Sequence, residues 1–316
     1  MPRRPDPPGT DGVLVMAKPV GPTSHDVVAL ARRLSGVRRI GHGGTLDPFA
    51  SGVLPLFLGF ATRLVEFHLG DEKAYRATVC FGASSTTDDL DGELQPFDVP
   101  SGGPASVGRQ AVEATLARFL GPQDQRPPAY SAIQVGGRRA YDLARAGTPP
   151  DLALRRIEIR GLELVEWDDR DPERPIAIVD VTCSAGTYVR ALARDLGATV
   201  GSAAYLGGLV RTRSGPFRLD DALTLDDLRA AAARSEGVAS LLRPADAGLD
   251  AIPLIRLDPD EVEDARKGRF VRPAHGLGDA PEGSLVRLAG PDGRLAGIGR
   301  RTGHRILPDK MSAAAP

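Results

Sequence analysis

The spacing of apolar segments limits this fold more than any other feature. Strand-like and helix-like stretches succeed one another at irregular intervals, and no β–α–β rhythm recurs along the 316 residues. A doubly wound parallel sheet needs that rhythm, so the pattern favours an α+β arrangement. Residues 13–16 read as a short apolar strand. Thr23-Ser24 then offers a helix N-cap, with Val27, Val28, Ala31 and Leu34 at helical spacing as far as Gly36. Tyr75, Ala77, Val79 and Phe81 alternate along one strand face. A helix is expected over 107–120, strands over 157–165 and 176–183, and a helix carrying Val189, Leu192 and Leu196 that closes at Gly197. Thr224 with Asp227 has the form of a capping box. From about residue 251 the texture changes to one helix, 259–268, followed by Gly/Pro-punctuated β runs at 284–288 and 294–298. The expected organisation is a disordered tail (1–11), a main domain (12–250) and a small appended β domain (251–312).

Within this frame one stretch stands out chemically: Gly41-His42-Gly43-Gly44-Thr45-Leu46-Asp47-Pro48-Phe49-Ala50-Ser51-Gly52-Val53-Leu54-Pro55. It places a single carboxylate among glycines and prolines. Glycine lets backbone approach a ligand closely and take up positive φ, and Pro48 pushes Asp47 out of the helical region. One reading is a lone acid presented on a stiff loop. The other is a structural turn whose Asp caps a helix, and the loop alone does not separate the two.

Bulk properties narrow the function classes. Hydrophobic residues make up 41% of the chain, yet no run of about 18 apolar residues occurs, so no membrane span is expected. The first twelve residues are rich in Pro, Arg and Asp and lack the apolar core of a secretory signal. Cys80 and Cys183 lie in apolar alternating runs and read as buried thiols in a reducing compartment, which favours the cytoplasm. A net charge of −1 argues against a uniformly basic nucleic-acid binder, but the average hides segregation. Residues 1–40 carry seven basic and three acidic side chains, 126–160 the same tally, and 190–218 five against one. Converging in space, these stretches could form a phosphate-binding face; scattered solvated charge fits the tally equally well. Arginine dominates the cations, and the four lysines, Lys18, Lys73, Lys267 and Lys310, point to places that need a compact ammonium.

The Asp47 loop lacks the Gly-Lys-Ser/Thr ending of a P-loop, and no Gly-x-Gly-x-x-Gly joins a strand to a helix, so no nucleotide cofactor is expected. The five histidines, His25, His42, His68, His275 and His304, show no ligand spacing, and no metal is expected either. Six motifs remain, in order: Ala17-Lys18-Pro19-Val20-Gly21-Pro22-Thr23-Ser24; the Asp47 loop; Lys73-Ala74-Tyr75; Pro128-Ala129-Tyr130-Ser131-Ala132; Ser184-Ala185-Gly186-Thr187-Tyr188-Val189-Arg190; and Leu206-Gly207-Gly208-Leu209-Val210-Arg211-Thr212-Arg213-Ser214-Gly215-Pro216-Phe217. The series resembles the bacterial TruB-type tRNA pseudouridine synthases, over roughly residues 12–230. The tail from about residue 251 resembles, more loosely, a PUA RNA-binding domain.

That resemblance implies a central, mostly antiparallel mixed sheet flanked by helices, and isomerisation of uridine 55 in the T-loop of tRNA. It implies a cofactor-independent enzyme that acts on a flipped-out uridine and takes the T-arm as its partner. A monomer is expected. By resemblance Asp47 is the essential carboxylate, attacking the sugar or removing its proton. Arg190 pairs with it, and Tyr75 stacks on the uracil and is placed to accept the C5 proton. On the substrate-binding side stand His42, which fills the space the uridine leaves, with Gly43 beside it, Leu209 as a pocket wall, Lys18 and Lys73 as phosphate contacts or structural partners, and Arg211 as a further contact. The chain departs from many relatives at Thr86, where an Asp is usual, and at Gln134, where a Lys is often found. Two other readings stay open: a non-catalytic RNA-binding protein using the same basic face, and a nucleoside or glycoside hydrolase, which would ordinarily pair two carboxylates.

Overall fold

The computed structural model describes residues 7, 9–98, 107–131, 133–148 and 150–313. The first half contains β1 (Gly12–Lys18), α1 (Ser24–Ser35), β2 (Ile40–His42), β3 (Ser51–Leu58), α2 (Glu66–Leu69), β4 (Lys73–Phe81), β5 (Ala83–Ser85), β6 (Leu94–Pro96), α3 (Arg109–Leu116), β7 (Gly121–Gln125), β8 (Gln134–Val135), β9 (Arg138–Arg139) and α4 (Ala140–Arg145). Then come β10 (Arg155–Asp168), β11 (Ile176–Cys183), α5 (Val189–Thr199), β12 (Ala204–Ser214), β13 (Phe217–Arg218) and α6 (Leu225–Ala232). The chain ends with β14 (Leu254–Arg256), α7 (Pro259–Arg266), β15 (Leu285–Ala289), β16 (Leu295–Thr302) and β17 (Arg305–Met311).

Among the described residues one nine-stranded sheet runs β1-β3-β12-β4-β11-β10-β7, with β2 beside β3 and β13 beside β12. All its pairings are antiparallel except β3 with β12. The molecule is α+β, built on a mixed and mostly antiparallel sheet. Two helix layers cover it. Val189, Leu192 and Leu196 of α5 and Val112 and Leu116 of α3 pack on Ala77, Val79 and Phe81 of β4 and on alternate residues of β11. Val27, Val28 and Ala31 of α1 and Leu228 of α6 pack on Leu14, Met16, Leu54 and Leu56. The opposite faces of β1 and β3 bury Val13, Val15, Val53 and Phe57 against Phe217. These two strands are covered on both sides, so they read as continuous apolar runs rather than alternations.

Local chemistry sets the helix ends. Thr23 caps α1 in a capping box with Asp26, and Gly36 closes it at φ 71°. Thr224 and Asp227 form the expected box on α6. Other expectations need correction. The helix expected over 107–120 is α3 and a single 3₁₀ turn, after which Gly121 opens edge strand β7. Gly197 does not close α5 but sits inside it, where a Cβ would lie 2.3 Å from the Ala204 nitrogen; it lets the helix rest on β12. The second half of the Gly/Pro stretch, expected to be loop, is the buried strand β3. Strand β12 has no clear signature in the sequence, because glycines and arginines interrupt its apolar alternation. It nevertheless joins the two halves of the sheet.

Residues 1–6 and 8 of the expected tail lie outside the described residues. Its last member, Asp11, accepts a hydrogen bond from Phe60 N at 2.6 Å. At the other end, β14-β15-β16-β17 form a separate small sheet around Ile255, Val262, Val286, Leu288 and Ile306. It is joined to the large unit by a second cluster, in which Ile298 packs with Phe60, Leu64 and Leu249. Lys310–Glu66 (2.7 Å) and Arg287–Asp246 (2.8 Å) reinforce that contact.

Candidate active site

Asp47 sits in the connection between β2 and β3, and its position is held from several sides. Ser24, buried at the first turn of α1, brackets Leu46: its Oγ accepts from Leu46 N (2.9 Å) and donates to Leu46 O (3.1 Å). Gly21 N donates to Pro48 O at 2.9 Å. Lys18, at the end of β1, donates from Nζ to Ala50 O (2.6 Å) and Pro19 O (2.9 Å). On strand β12, Arg211 donates to Gly44 O (3.0 Å) and Val53 O (2.8 Å), one carbonyl on each side of the loop. The stiffness inferred from Gly and Pro is thus imposed largely by donors from three other elements.

Arg190, in the first turn of α5, meets the carboxylate with Nε 3.2 Å from Asp47 Oδ2. The side chain is 8% exposed, and besides this ion pair its guanidinium makes three hydrogen bonds. Nη1 donates to Asp89 Oδ2 (3.0 Å) and Thr87 O (3.2 Å), and Nη2 to Tyr130 O (3.0 Å). Asp89 is itself buried and accepts from Thr87 Oγ1 (2.5 Å) and Asp91 N (3.1 Å). One arginine therefore serves two carboxylates. Burial pushes the Asp47 carboxyl above its ordinary range, Arg190 pulls it back, and the charges of Asp89 and Asp91 push it up again.

Tyr75 lies on β4, opposite Arg211 in the pairing with β12, and its ring packs on the large core. Burial raises its phenol above the usual value, while Arg211 opposes that rise. Leu209, two residues before Arg211 on β12, is half-buried against the same core. His42 ends β2, accepts from Gly44 N at 3.3 Å on Nδ1, and stands edge-on to His25 with ring centroids 5.8 Å apart. Burial lowers its pKa.

The fold brings Asp47, Arg190, Tyr75, Leu209 and Arg211 together. Of the two roles open for Lys18 and Lys73 the fold favours the structural one, and it corrects the picture of Arg211 as a ligand contact. Lys18, Lys73 and Arg211 are 1%, 6% and 1% exposed, and their donors go to main-chain carbonyls, those of Lys73 to Asp71 O (2.6 Å) and His68 O (3.3 Å). Burial lowers the pKa of both lysines. Gly43 is also buried, against Phe57, and its role is packing. The scarce Lys18 and Lys73 do occupy places that take a compact ammonium, but those places are inside the molecule. Cys183 is buried and Cys80 only half-buried, and both are free thiols. Among the described residues no cluster of three His, Cys, Asp or Glu could hold a metal ion, and no helix is long and apolar enough to cross a membrane.

Comparison with known proteins shows the family of the chain. The family model described as the N-terminal domain of TruB family pseudouridylate synthases matches residues 32–189, and that of the tRNA pseudouridylate synthase B C-terminal domain matches 190–250. The chain belongs to the TruB family of pseudouridine synthases. It is 48% identical to the tRNA pseudouridine synthase B of Symbiobacterium thermophilum over 78% of each chain. It is 42% identical to that of Geobacillus kaustophilus over 83% of this chain and 91% of the relative. Among solved structures, a crystal structure of a Cbf5–Nop10–Gar1 complex contains a chain 26% identical to it, with a TM-score of 0.66 over 96% of this chain and 85% of the other.

In this TruB family member three supports of the site escape a reading of the sequence. Asp89 is legible there as one acid among several, but nothing in its neighbourhood ties it to Arg190, which is 101 residues away. Buried Gln125 holds Tyr188 as a strand would, accepting from its N (2.9 Å) and donating to its O (3.1 Å), at the start of α5. Ser24 reads as a turn residue, and its bond to Leu46 spans 22 positions. The two departures from the family pattern, Thr86 and Gln134, are both exposed. Near Thr86, Asp88 pairs with Arg194 of α5 at 2.8 Å.

Proposed function

We propose that this protein isomerises uridine 55 in the T-loop of tRNA to pseudouridine, with Asp47 as the carboxylate that acts on the ribose. The observation that carries this reading is one half-exposed carboxylate held by the buried Arg190 guanidinium beside Tyr75, in a TruB family chain. The reaction breaks the N1–C1′ bond, turns the uracil and rejoins it through C5. Stacked bases shield that bond, so the uridine leaves the loop stack first, at a cost of a few kcal/mol. Arg190 keeps Asp47 ionised against its burial and fixes its direction. Tyr75 stacks on the flipped base and takes the C5 proton, Leu209 walls the pocket, and His42 lies where the loop closes behind the departing base. Lys18, Lys73 and Arg211 support the reaction from inside the scaffold rather than at the RNA surface. The protein acts as a monomer in the cytoplasm. Its C-terminal unit, 251–312, is a PUA-like RNA-binding module that adds affinity for the T-arm.

A test is incubation with a full tRNA transcript, with an isolated T-arm stem-loop, and with transcripts carrying C at position 55, followed by nucleoside analysis of the products. Pseudouridine from the first two and none from the third is the expected result. Free uracil would instead indicate a hydrolase. Tight binding without either product would indicate a binding protein.

A further inference from the structure

Arg211 is among the most deeply buried side chains of the molecule. Its guanidinium donates to Gly44 O, Val53 O and, at 3.5 Å, Thr45 O. These are neutral acceptors. Clamping a loop through carbonyls requires donors but no charge, and burying a cation carries a desolvation cost that neutral acceptors offset only in part. What distinguishes the place is its neighbour. Arg211 is paired across the sheet with Gly52 on one side and with Tyr75 on the other. The group that favours its charge against burial is the Tyr75 phenol.

We propose that Arg211 is a positioning residue for the proton-removing step, holding a permanent positive charge against the Tyr75 oxygen while it locks the Asp47 loop. This rests on the assignment of Tyr75 given under Proposed function. Once the new C5–C1′ bond has formed, C5 carries both the ribose and its original proton. The Tyr75 oxygen takes that proton while its own O–H proton passes to water, and the C5–H pair becomes the C5=C6 double bond. The N1=C6 pair moves to N1, which is protonated by water, so Tyr75 ends the step as the neutral phenol it began as and its oxygen is negative only in passing. A phenolate in a buried site needs a counter-charge that does not itself titrate, and guanidinium is the side chain that stays protonated there. Cys183 and Asp47 also face this phenol and disfavour its ionisation. Lys73, two residues earlier on β4, spends its donors on carbonyls.

The test compares single-turnover rates on T-arm RNA carrying uridine or 5-deuterouridine for wild type, Arg211→Met and Arg211→Lys. Arg211→Met is expected to slow product formation roughly 100-fold, the scale of losing one preorganised charge-stabilising group. The C5 isotope effect should exceed that of wild type, and Arg211→Lys should recover roughly ten-fold of the lost rate, since it restores the charge without the fork. A slower Arg211→Met enzyme whose isotope effect matches wild type would reduce Arg211 to a loop clamp and overturn the proposal. Should Arg211→Met not fold, Arg211→Lys is compared alone and in a Tyr75→Phe background. Little further loss when Arg211→Lys is added to Tyr75→Phe supports the proposal, and a full multiplicative loss overturns it. Wild type that makes no pseudouridine at all would overturn the functional reading itself, and this inference with it.

Discussion

Asp47 keeps 39% of its side chain open to solvent, whereas Arg190 beside it is 8% exposed, so the negative charge of the pair faces outward and the positive charge that holds it is enclosed. Burial and two neighbouring acids raise the Asp47 pKa above its ordinary value of 3.8 despite Arg190. The sign of two consequences follows. Activity that needs the ionised carboxylate falls away as pH drops through the raised value, so the acid limb of the single-turnover pH profile is expected above 3.8. A limb at the ordinary value would contradict the assigned surroundings. For stability the direction is opposite: a raised folded-state pKa contributes most below the unfolded value and is lost as pH rises through the folded one. Asp47→Asn is therefore expected to melt at or above the wild-type temperature at neutral pH, with the difference shrinking on acidification. At this scale the sequence displays the groups proposed to react, since the resemblance names them one by one. It conceals their supports, because Asp89, Ser24 and Gln125 are ordinary polar residues until the fold brings them to Arg190, Leu46 and Tyr188.

Secondary-structure elements deliver those groups, and two contacts between elements carry predictions. Gly52 of β3 has φ 115°, and a Cβ there would lie 2.3 Å from Arg211 O and 2.4 Å from Arg211 N. Gly52→Ala combines left-handed strain with a backbone clash at the junction of β3 and β12, and should cost at least about 2 kcal/mol in denaturant unfolding. Helix α5 begins at Val189 without a side-chain cap, and the Gln125 amide bonds the main chain of Tyr188 just before it. Gln125→Ala is expected to lower kcat through Arg190 while leaving T-arm affinity within about three-fold, since the amide is buried away from the surface. Legibility differs sharply among the elements. β4 announces itself by alternation, β11 by a short apolar run rich in β-branched residues, and α1 and α6 by their caps. β12 does not, because Gly207, Gly208, Arg211 and Arg213 occupy positions where a strand surrounded by other strands would ordinarily be apolar; the glycines leave room for Cys80 and Thr78, Arg211 clamps the Asp47 loop and Arg213 pairs with Glu72.

Across the whole molecule, the small C-terminal sheet is seated on the larger unit. Ile298 is fully buried among Phe60, Leu64 and Leu249, and Arg63 donates to Met311 O at 3.1 Å. A chain ended at residue 252 would uncover that cluster, at roughly 1.5–3 kcal/mol for each large apolar side chain returned to water. It is expected to melt at a lower temperature than the full chain, which should itself unfold in one calorimetric transition. Two separate transitions would show that the units are energetically independent. The change of texture near residue 251 is visible in the sequence, but the contact is not, since its residues come from segments that look like separate units. The proposed function places the chemistry on the single carboxylate at position 47. Tritium release from tRNA labelled at uracil C5, measured with wild type and Asp47→Asn alongside an RNA-binding assay, tests that role without intermediaries. Release by wild type and none above background by Asp47→Asn, with tRNA affinity kept, is the expected result; release by the Asn variant at a rate near wild type would remove Asp47 from the chemistry.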